Sequence, residues 1–479
     1  MKRVNRLFVR IHRILGTVLS VLFLVWFLTG MVMMYHTYPS LTQQHRMEHA
    51  ETLECPIACP QELSSPSSVT FERIAGRNIC IVNTDEGEHL FDVGNNGKEI
   101  TRFTEEELMQ IASRWTATAP TLLDTLNEID VWLIGCMPFK EYPVYHYALN
   151  DGRDSELYLS SRTGRALQLT DSKSRFWAWI GAIPHWIYIK QLRATGRQPW
   201  TDVVLWLSGF GIAMTLAGIV IAIRSMLLAR RNGKYSPYAK PFFRYHHLFG
   251  LFFGLFVLTW IFSGFMSLAD APQLFWPTHG NHNARDVYSP NLHLSHFRLS
   301  LSDVVNSDEV KRVELMEMGG QPFYHVFNSS GDYLVDAGST MVQRKELNTA
   351  QCRSIVQYAL QSHDSVMAAM LTGYDNYYIS QKRPLPLPVC RVSVDDADGS
   401  TYYINPKNGD CRYYNHNRRA GKWMYTGLHA FNTPFFVARP WLRKSVLWLL
   451  LLGGTVVSLT GLLLAINRLK KIIINKRKS

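Results

Sequence analysis

Charge is scarce in this sequence. Of its 479 residues, 18% are charged, whereas 47% are hydrophobic and 12% are aromatic. Disordered chains and coiled coils are poor in large apolar residues or rich in charge, so the composition excludes both classes. The mean hydropathy is nevertheless only −0.07, which excludes a transporter made almost wholly of membrane helices. The average therefore combines very apolar segments with polar ones.

The chain also lacks several short motifs of enzymes. It has no Gly-x-Gly-x-x-Gly turn for a dinucleotide, no Gly-x-x-x-x-Gly-Lys loop for phosphates and no His-Glu-x-x-His zinc motif. No Cys-x-x-Cys pair is present, which disfavours zinc ribbons and thioredoxin-like chemistry. Cysteines that persist as disulfides indicate an oxidising compartment, and an odd number leaves at least one thiol unpaired. The seven cysteines are Cys55, Cys59, Cys80, Cys136, Cys352, Cys390 and Cys411.

Four apolar runs account for the hydrophobic part of the composition. Each has 21 or 22 residues and contains no Lys, Arg, Asp or Glu. About 20 residues are needed for a helix to cross the hydrocarbon core of a bilayer. The first run is too long for a signal peptide and has no cleavage site of small residues, so we expect a retained anchor. The predicted membrane spans are 14–35, 203–223, 248–269 and 445–466.

The basic residues predict the topology of these spans. Segments 1–13, 224–244 and 467–479 carry 17 of the 50 Lys and Arg residues and no acidic residue. Positive segments stay in the cytoplasm, so both termini and the middle connection are expected inside. Segments 36–202 and 270–444 are then expected outside, and all seven cysteines lie in them. Because the cations flank membrane spans instead of covering one folded surface, the net charge of +12 does not indicate nucleic-acid binding.

The sequence repeats itself. Residues 10–16 (Arg-Ile-His-Arg-Ile-Leu-Gly) match residues 244–250 (Arg-Tyr-His-His-Leu-Phe-Gly), and 177–185 correspond to 423–429. The first offset also aligns Trp26 with Trp260, Thr29 with Ser263 and Gly30 with Gly264. Since both copies begin inside, they are predicted to be parallel repeats related by a pseudo-two-fold axis along the membrane normal.

The two external segments have the pattern of α+β domains. Alternating β-branched and aromatic residues surround the turns at 150–152 and 398–399, which predicts hairpins. An earlier unit of the same character lies at 79–97 and again at 323–338. Thr104 followed by three glutamates predicts an N-capped helix reaching Trp115.

Four histidines occupy repeated positions beside the membrane: His12 with His246, and His185 with His429. A pseudo-two-fold axis brings equivalent residues face to face. Paired imidazoles at two depths are what two bis-histidine haems require. The simpler alternative is that each is an interfacial polar residue. His247 competes with His246, and only the alignment with His12 favours the latter.

Other residues suit supporting roles around a haem. Gly16 and Gly250, one helical turn from His12 and His246, are expected to leave room for a macrocycle. Candidate propionate partners are Arg10, Arg13, Arg244 and His247 inside, and Arg193, Arg197 and Arg439 outside. His36, whose repeat partner is Asp270, is a weaker candidate for a substrate or propionate contact. The unrepeated group His279, His282, His293 and His296 matches no standard metal motif and is most simply a set of loop histidines.

These residues resemble the PepSY-associated transmembrane proteins. The resemblance rests on His12-Arg-Ile-Leu-Gly16, Pro184-His185, His246-His-Leu-Phe-Gly250 and Thr426-Gly-Leu-His429, with turns at 161–164 and 406–409 similar to those of PepSY modules. It implies four transmembrane α-helices in two parallel tandem repeats with two external α+β PepSY-like domains. The expected units are 1–36 (N-terminus and first span), 37–175 (first external domain), 176–230 (His/Trp segment and second span), 231–270 (connection and third span), 271–420 (second external domain) and 421–479 (His/Trp segment, fourth span and basic tail).

The resemblance also implies a function. Members of the family include bacterial inner-membrane siderophore reductases with two b-type haems, whose axial ligands would here be His12, His246, His185 and His429. The expected electron donor is a quinol or a separate cytoplasmic reductase, because the cytoplasmic segments are too short to fold a flavin or nicotinamide domain. The expected acceptor is a periplasmic ferric siderophore or another iron chelate. The rival interpretations are a non-catalytic, membrane-anchored PepSY binding or regulatory protein and a haem-free permease subunit.

Overall fold

The computed structural model describes residues 2–57, 66–269, 272–361 and 365–476. Cys59 and Asp270, both named above, lie outside these residues. The α-helices, in chain order, are α1 (Lys2–Met33), α2 (Gln43–His49), α3 (Glu105–Ser113), α4 (Ser172–Ile180), α5 (Ala182–Trp186), α6 (Lys190–Arg193), α7 (Gln198–Arg230), α8 (Pro241–Met266), α9 (Pro272–Phe275), α10 (Leu301–Asn306), α11 (Thr349–Leu360), α12 (His416–Lys422), α13 (Leu428–Ala430), α14 (Pro434–Val437) and α15 (Pro440–Lys476).

Four of these helices are long and apolar enough to cross a membrane. Within the described residues they cover Arg6–Met33, Gln198–Arg230, Pro241–Met266 and Pro440–Asn475. Helices α7 and α15 contain their whole predicted runs, whereas α1 ends at Met33 and α8 at Met266, two and three residues before the predicted ends. The prediction of four membrane-spanning helices is confirmed at this level, and such helices suit a lipid bilayer because their backbone polar groups are paired internally.

The four long helices form one bundle. Helix α1 packs against α7 and α15, and α8 packs against the same two helices, so α1 and α8 lie on one diagonal. Glycines allow the close contacts. A Cβ atom on Gly453 or Gly454 of α15 would overlap the rings of Phe253 and Phe27, respectively. Small residues commonly occupy such helix contacts in membranes, where close packing replaces the hydrophobic driving force.

Sixteen strands are present in the described residues. The first eight are β1 (Ser68–Ile74), β2 (Arg77–Thr84), β3 (Gly87–Asp92), β4 (Lys98–Glu99), β5 (Thr121–Leu126), β6 (Val144–Ala148), β7 (Glu156–Ser160) and β8 (Ala166–Thr170). The second eight are β9 (Val310–Met318), β10 (Gln321–Asn328), β11 (Gly331–Asp336), β12 (Arg344–Lys345), β13 (Val366–Leu371), β14 (Val389–Val394), β15 (Thr401–Ile404) and β16 (Cys411–Tyr414).

The strands form three antiparallel sheets. One sheet has eight strands in the order β12-β11-β10-β9-β1-β2-β3-β4, and the others have the orders β5-β6-β7-β8 and β13-β14-β15-β16. The eight-stranded sheet joins the two halves of the chain, because β1 pairs with β9 through Val69 opposite Leu315 and Phe71 opposite Val313. It therefore contains strands of both predicted external domains, and the boundaries between those domains stay predictions.

Helices α3 and α11 connect the large sheet to the small ones. Leu108 and Ile111 of α3 share a core with Ile81 of the large sheet and Leu157 of β7. On the other side, Ile355 of α11 packs in a core with residues of β10 and β14. Sheet and helix faces thus bury their apolar residues against each other, which is the arrangement of an α+β domain.

Several local predictions are confirmed. The turns at 150–152 and 398–399 close the hairpins β6–β7 and β14–β15. Thr104 caps α3 by accepting a hydrogen bond from the Glu107 amide at 3.3 Å, and the Glu107 carboxylate accepts one from the Thr104 amide at 2.8 Å. This reciprocal pair satisfies two amides that the first helical turn leaves without partners.

Free thiols are found at Cys55, Cys136, Cys352, Cys390 and Cys411. Cys352 on α11 and Cys390 on β14 are buried in the same core, and Cys411 packs against it. The pairing of the cysteines stays open.

Candidate functional site

His12 and His246 face each other across the helix bundle. His12 lies on α1 and His246 on α8, the two helices of one diagonal, and their ring centroids are 6.0 Å apart. Nδ1 of His12 donates to the Met214 carbonyl at 2.9 Å, and Nδ1 of His246 lies 3.1 Å from the Val457 carbonyl. A carbonyl oxygen only accepts, so Nδ1 carries the proton in both rings and Nε2 keeps its lone pair.

His185 and His429 form a second facing pair near the other end of the bundle. Their ring centroids are 6.3 Å apart, and the rings are close to perpendicular. Nδ1 of His185 bonds Thr29 Oγ1 at 3.0 Å, and Nδ1 of His429 bonds Ser263 Oγ at 2.9 Å. Both hydroxyls already donate to carbonyls of their own helices. They must therefore accept from Nδ1, and Nε2 is again the unprotonated nitrogen.

The local backbone positions this second pair. Helix α5 ends after Trp186, where Ile187 adopts a left-handed conformation with φ of 53°, and Phe431 ends α13 in the same way with φ of 51°. Indole N–H groups hold both segments to the bundle, since Trp26 donates to the His185 carbonyl at 2.9 Å and Trp260 to the His429 carbonyl at 3.1 Å. A π-helical turn at Trp423–Gly427 precedes His429, and such turns are frequent at functional sites.

Burial keeps these imidazoles neutral. It lowers the pKa of His185 to about 3 and the pKa of His429 to about 4. At neutral pH each ring is therefore uncharged, and a neutral imidazole is the form that ligates a metal. A hydrogen bond from the other ring nitrogen is the usual way in which a ligating histidine is oriented.

The spacing of both pairs suits a shared metal. Two metal–nitrogen bonds of about 2.0 Å and the radii of two imidazole rings together place the ring centroids about 6 Å apart, close to the observed 6.0 and 6.3 Å. A Cβ atom on Gly250 or Gly264 would meet no heavy atom within 4 Å, so open space adjoins both pairs. Gly16 would make only an ordinary contact of 3.8 Å with Met214. The donor set, two facing imidazoles in each pair, each with an unprotonated Nε2, suits a metal with two nitrogen ligands.

The neighbouring His247 points elsewhere. Its Nε2 bonds the Ala222 carbonyl at 3.0 Å, and its ring meets Tyr238 edge-on at 5.4 Å. Of the two adjacent histidines, the structure thus brings His246 and not His247 to His12. The ligand roles of the four histidines stay predictions.

The arginines weighed as propionate partners have different environments. Arg10 and Arg13, with Arg6 and Arg468, line a cavity of about 540 Å³ at the basic end of the bundle. Arg193 is buried, donates to the Ile134 carbonyl at 3.0 Å and lies over the Trp200 ring, so its guanidinium holds the loop before α7. The others are Arg197 and Arg244, which are exposed, and Arg439, which lies over Phe435.

His36 follows α1 and stacks on Trp177, with ring centroids 4.1 Å apart. Both residues line a cavity of about 240 Å³ together with Lys173 and Asp171. This small cavity adjoins α4, the helix that precedes His185.

The four loop histidines contact three carboxylates, and the sequence did not predict these partners. His279 Nδ1 bonds Asp398 at 2.8 Å, and His282 Nδ1 bonds Asp286 at 3.2 Å. His293 and His296 share Glu317. No sequence signal marked Asp398 or Glu317, because a single acidic residue in a strand or turn is common. The only sequence signal for Thr29 and Ser263 is that the repeat aligns them with each other.

Models of known protein families do not match the chain, and curated proteins give no match either. The resemblance to PepSY-associated transmembrane proteins therefore remains a prediction from the residues.

Proposed function

We propose that the protein is a dihaem membrane reductase in which His12 with His246, and His185 with His429, are the axial ligands of two b-type haems. One observation carries the proposal: four imidazoles form two facing pairs, and in each ring Nδ1 is held by a hydrogen bond while Nε2 is left for a metal. Interfacial polar residues would have no reason to meet in pairs at metal-ligand spacing.

Two parallel tandem repeats explain why the contacts occur twice. Thr29 and Ser263 are an aligned pair, as are Trp26 and Trp260, and each member makes the same bond to its own histidine segment. A repeat of this kind and the His-containing motifs support membership of the PepSY-associated transmembrane proteins, with PepSY-like modules in the sheet region.

When bound, haem iron supplies one-electron redox chemistry. The chain's residues orient the ligands and exclude water. Hydroxyl and carbonyl acceptors fix the tautomer of each imidazole, which also raises its basicity toward iron. The apolar side chains of the bundle lower the local dielectric, and this tunes the potential of a buried redox centre.

The proposed acceptor is a ferric siderophore or similar iron chelate on the periplasmic side of a bacterial inner membrane. Reduction would release the metal because hard oxygen donors hold Fe(III) far better than Fe(II). The cavity of His36, Trp177 and Lys173 is the candidate contact for such a chelate. A quinol or a separate reductase is the proposed donor, at the side that the basic segments favour as cytoplasmic.

Absorption spectroscopy of the detergent-purified protein tests the proposal. We expect sharp low-spin bands on dithionite reduction and about two haems per chain by pyridine haemochrome. The variants His12→Ala and His429→Ala should each lose about half of the haem. His247→Ala is the matched control for His246→Ala, because the two residues are neighbours on one helix and only His246 faces His12.

A protein free of haem even when expressed with haem supplied would overturn the proposal and leave a non-catalytic PepSY binding protein as the alternative. Equal haem loss in His246→Ala and His247→Ala would overturn the ligand assignment. If haem is present, reduction of a ferric chelate by dithionite-reduced protein is the next measurement, and its absence would overturn the proposed acceptor.

A further inference from the structure

A buried carboxylate lies beneath two surface histidines in the eight-stranded sheet. Glu317 is on β9, and its side chain is 1% exposed, whereas those of His293 and His296 are 59% and 46% exposed. Nδ1 of His293 lies 3.1 Å from Glu317 Oε1, and Nδ1 of His296 lies 3.5 Å from the same oxygen. One oxygen atom thus faces two imidazole nitrogens on a surface open to solvent.

The backbone holds these three side chains together. The His293 amide donates to Glu317 Oε2 at 3.0 Å, and the Ser289 amide donates to the Glu317 carbonyl at 2.8 Å. These two bonds tie the loop to β9 on either side of the carboxylate. A single 3-10 turn, Leu294–His296, then brings the second imidazole beside the first, with the rings stacked 5.0 Å apart.

The ion-pair partners of Glu317 are imidazoles. In the part of the chain that the structure describes, both of its ion pairs are with histidines and neither is with a lysine or arginine. A buried carboxylate is strongly unfavourable unless a positive charge is close to it. A divalent metal ion held by the three side chains would supply that charge.

The spacing of the donor atoms matches a metal site. The three ligand atoms all lie within 4.8 Å of one another. Two donors that each bind a metal at about 2.1 Å, in tetrahedral or octahedral geometry, are separated by roughly 3.0–3.4 Å. The two nitrogen-to-oxygen distances, 3.1 and 3.5 Å, are close to this range.

We propose that His293, His296 and Glu317 bind one divalent first-row transition-metal cation. Two imidazoles and a carboxylate suit Fe²⁺ or Zn²⁺, whereas Mg²⁺ and Ca²⁺ prefer oxygen donors throughout. The exposed faces of both histidines leave coordination positions open to water or to a ligand of the metal. The cluster shares no residue with the bundle histidines, so this proposal goes beyond the dihaem function and does not rest on it.

Equilibrium dialysis of the full-length, detergent-purified protein against Zn²⁺, with Mg²⁺ in excess, tests the site. After chelator treatment, wild type should bind one Zn²⁺ per chain more than His293→Ala or His296→Ala. Replacing one of three ligands should weaken binding by more than about 100-fold, since loss of a mere hydrogen-bond partner of a ligand already costs 10–100-fold. Anaerobic Fe²⁺ should displace the bound Zn²⁺ when supplied in excess.

His279→Ala is the matched control. His279 is also an exposed histidine, and its Nδ1 bonds the buried Asp398 at 2.8 Å. Within the described ranges that carboxylate pairs with no second imidazole, and it accepts hydrogen bonds from the His279 and Gly280 amides. Zinc uptake by this variant should equal that of wild type. Glu317→Gln should lose zinc as well. If this substitution of a buried residue unfolds the sheet, the variants of the exposed histidines, His293→Ala and His296→Ala, still decide the test.

Equal zinc uptake by wild type and both histidine variants, or equal loss in His279→Ala, would overturn the proposed site. The haem bands are recorded on the same samples. Failure of zinc binding with intact haem bands would reject this site alone, and zinc binding by a haem-free preparation would reject the dihaem proposal alone.

Discussion

The substitution Gly218→Ala should dislodge His12 and empty one of the two proposed haem sites. A Cβ atom on Gly218 would lie 2.6 Å from His12 Cε1 and 2.8 Å from its Nδ1. Carbon atoms in contact are normally about 3.5–4.0 Å apart, so the imidazole must retreat by about 1 Å. Met214 lies on α7 together with Gly218, and its carbonyl oxygen is 2.9 Å from Nδ1 of His12. A shift of this size takes that hydrogen bond out of its optimal distance range.

The expected cost combines two effects. Losing the hydrogen bond costs about 0.5–1.5 kcal/mol, and overpacking a tight contact costs about 1–3 kcal/mol. The sum, roughly 1.5–4.5 kcal/mol, corresponds to a loss of affinity of about 10-fold to 2,000-fold for a group held by His12. Pyridine haemochrome quantitation on the purified variant should therefore give about one haem per chain in place of two.

Substitutions of two other glycines should reduce haem retention less than Gly218→Ala does. A Cβ atom on Gly461 would lie 3.2 Å from His246 Cε1, so Gly461→Ala requires a shift of only a few tenths of an ångström and should weaken haem retention less. On the same helix as Gly218, Gly209 would make an ordinary contact of 3.9 Å with Phe265, and Gly209→Ala should have no effect. If Gly218→Ala retained both haems with an unchanged spectrum, the placement of His12 against α7 would be wrong.

Two further predictions concern hydrogen bonds. Thr29→Val and Ser263→Ala remove the acceptors of His185 and His429, and each should weaken haem retention by about 10–100-fold. Thr259→Val is the control, because Thr259 lies on α8 and bonds only the Leu255 carbonyl; equal loss in this variant would contradict the assigned role. Burial alone would lower the pKa of His325, but its hydrogen bond with Asp332 at 2.8 Å and its ion pair with Glu314 at 3.6 Å raise it to about 9. The charged pair thus stabilises the fold fully below about pH 6.5 and is lost as the pH rises through about 9. The melting temperature of wild type should fall from pH 7 to pH 10, and the difference from His325→Gln should shrink over that range; a constant difference would contradict a charged His325.

The spans, the hairpins and the capped helix could be predicted because their signals are local. An apolar run of sufficient length, a turn between alternating strands and a Thr followed by Glu at the third position each act within about 20 residues. The facing of His12 and His246 was predicted from the repeat. The choice between His246 and His247 needed the structure, because adjacent residues on a helix point about 100° apart.

The pairing of strands that are far apart along the chain has no such local signal in the sequence. Val69 and Leu315 meet in neighbouring strands, yet nothing around either residue specifies the other. The same holds for Glu317, whose side chain reaches His293 only because the register of β9 turns it toward the loop at 288–296. Alternation along a strand predicts which residues share a face, but the partner on that face depends on the whole fold.

The pairing of β1 with β9 has a consequence for biogenesis. The two strands are more than 200 residues apart along the chain, and two long apolar helices, α7 and α8, lie between them. A chain made from its N-terminus completes β1 long before β9 exists, so one edge of β1 stays open while those helices are inserted into the bilayer. Open strand edges invite wrong partners. We therefore expect the first half of this protein to mature late, when β9 of the second half becomes available to pair with β1.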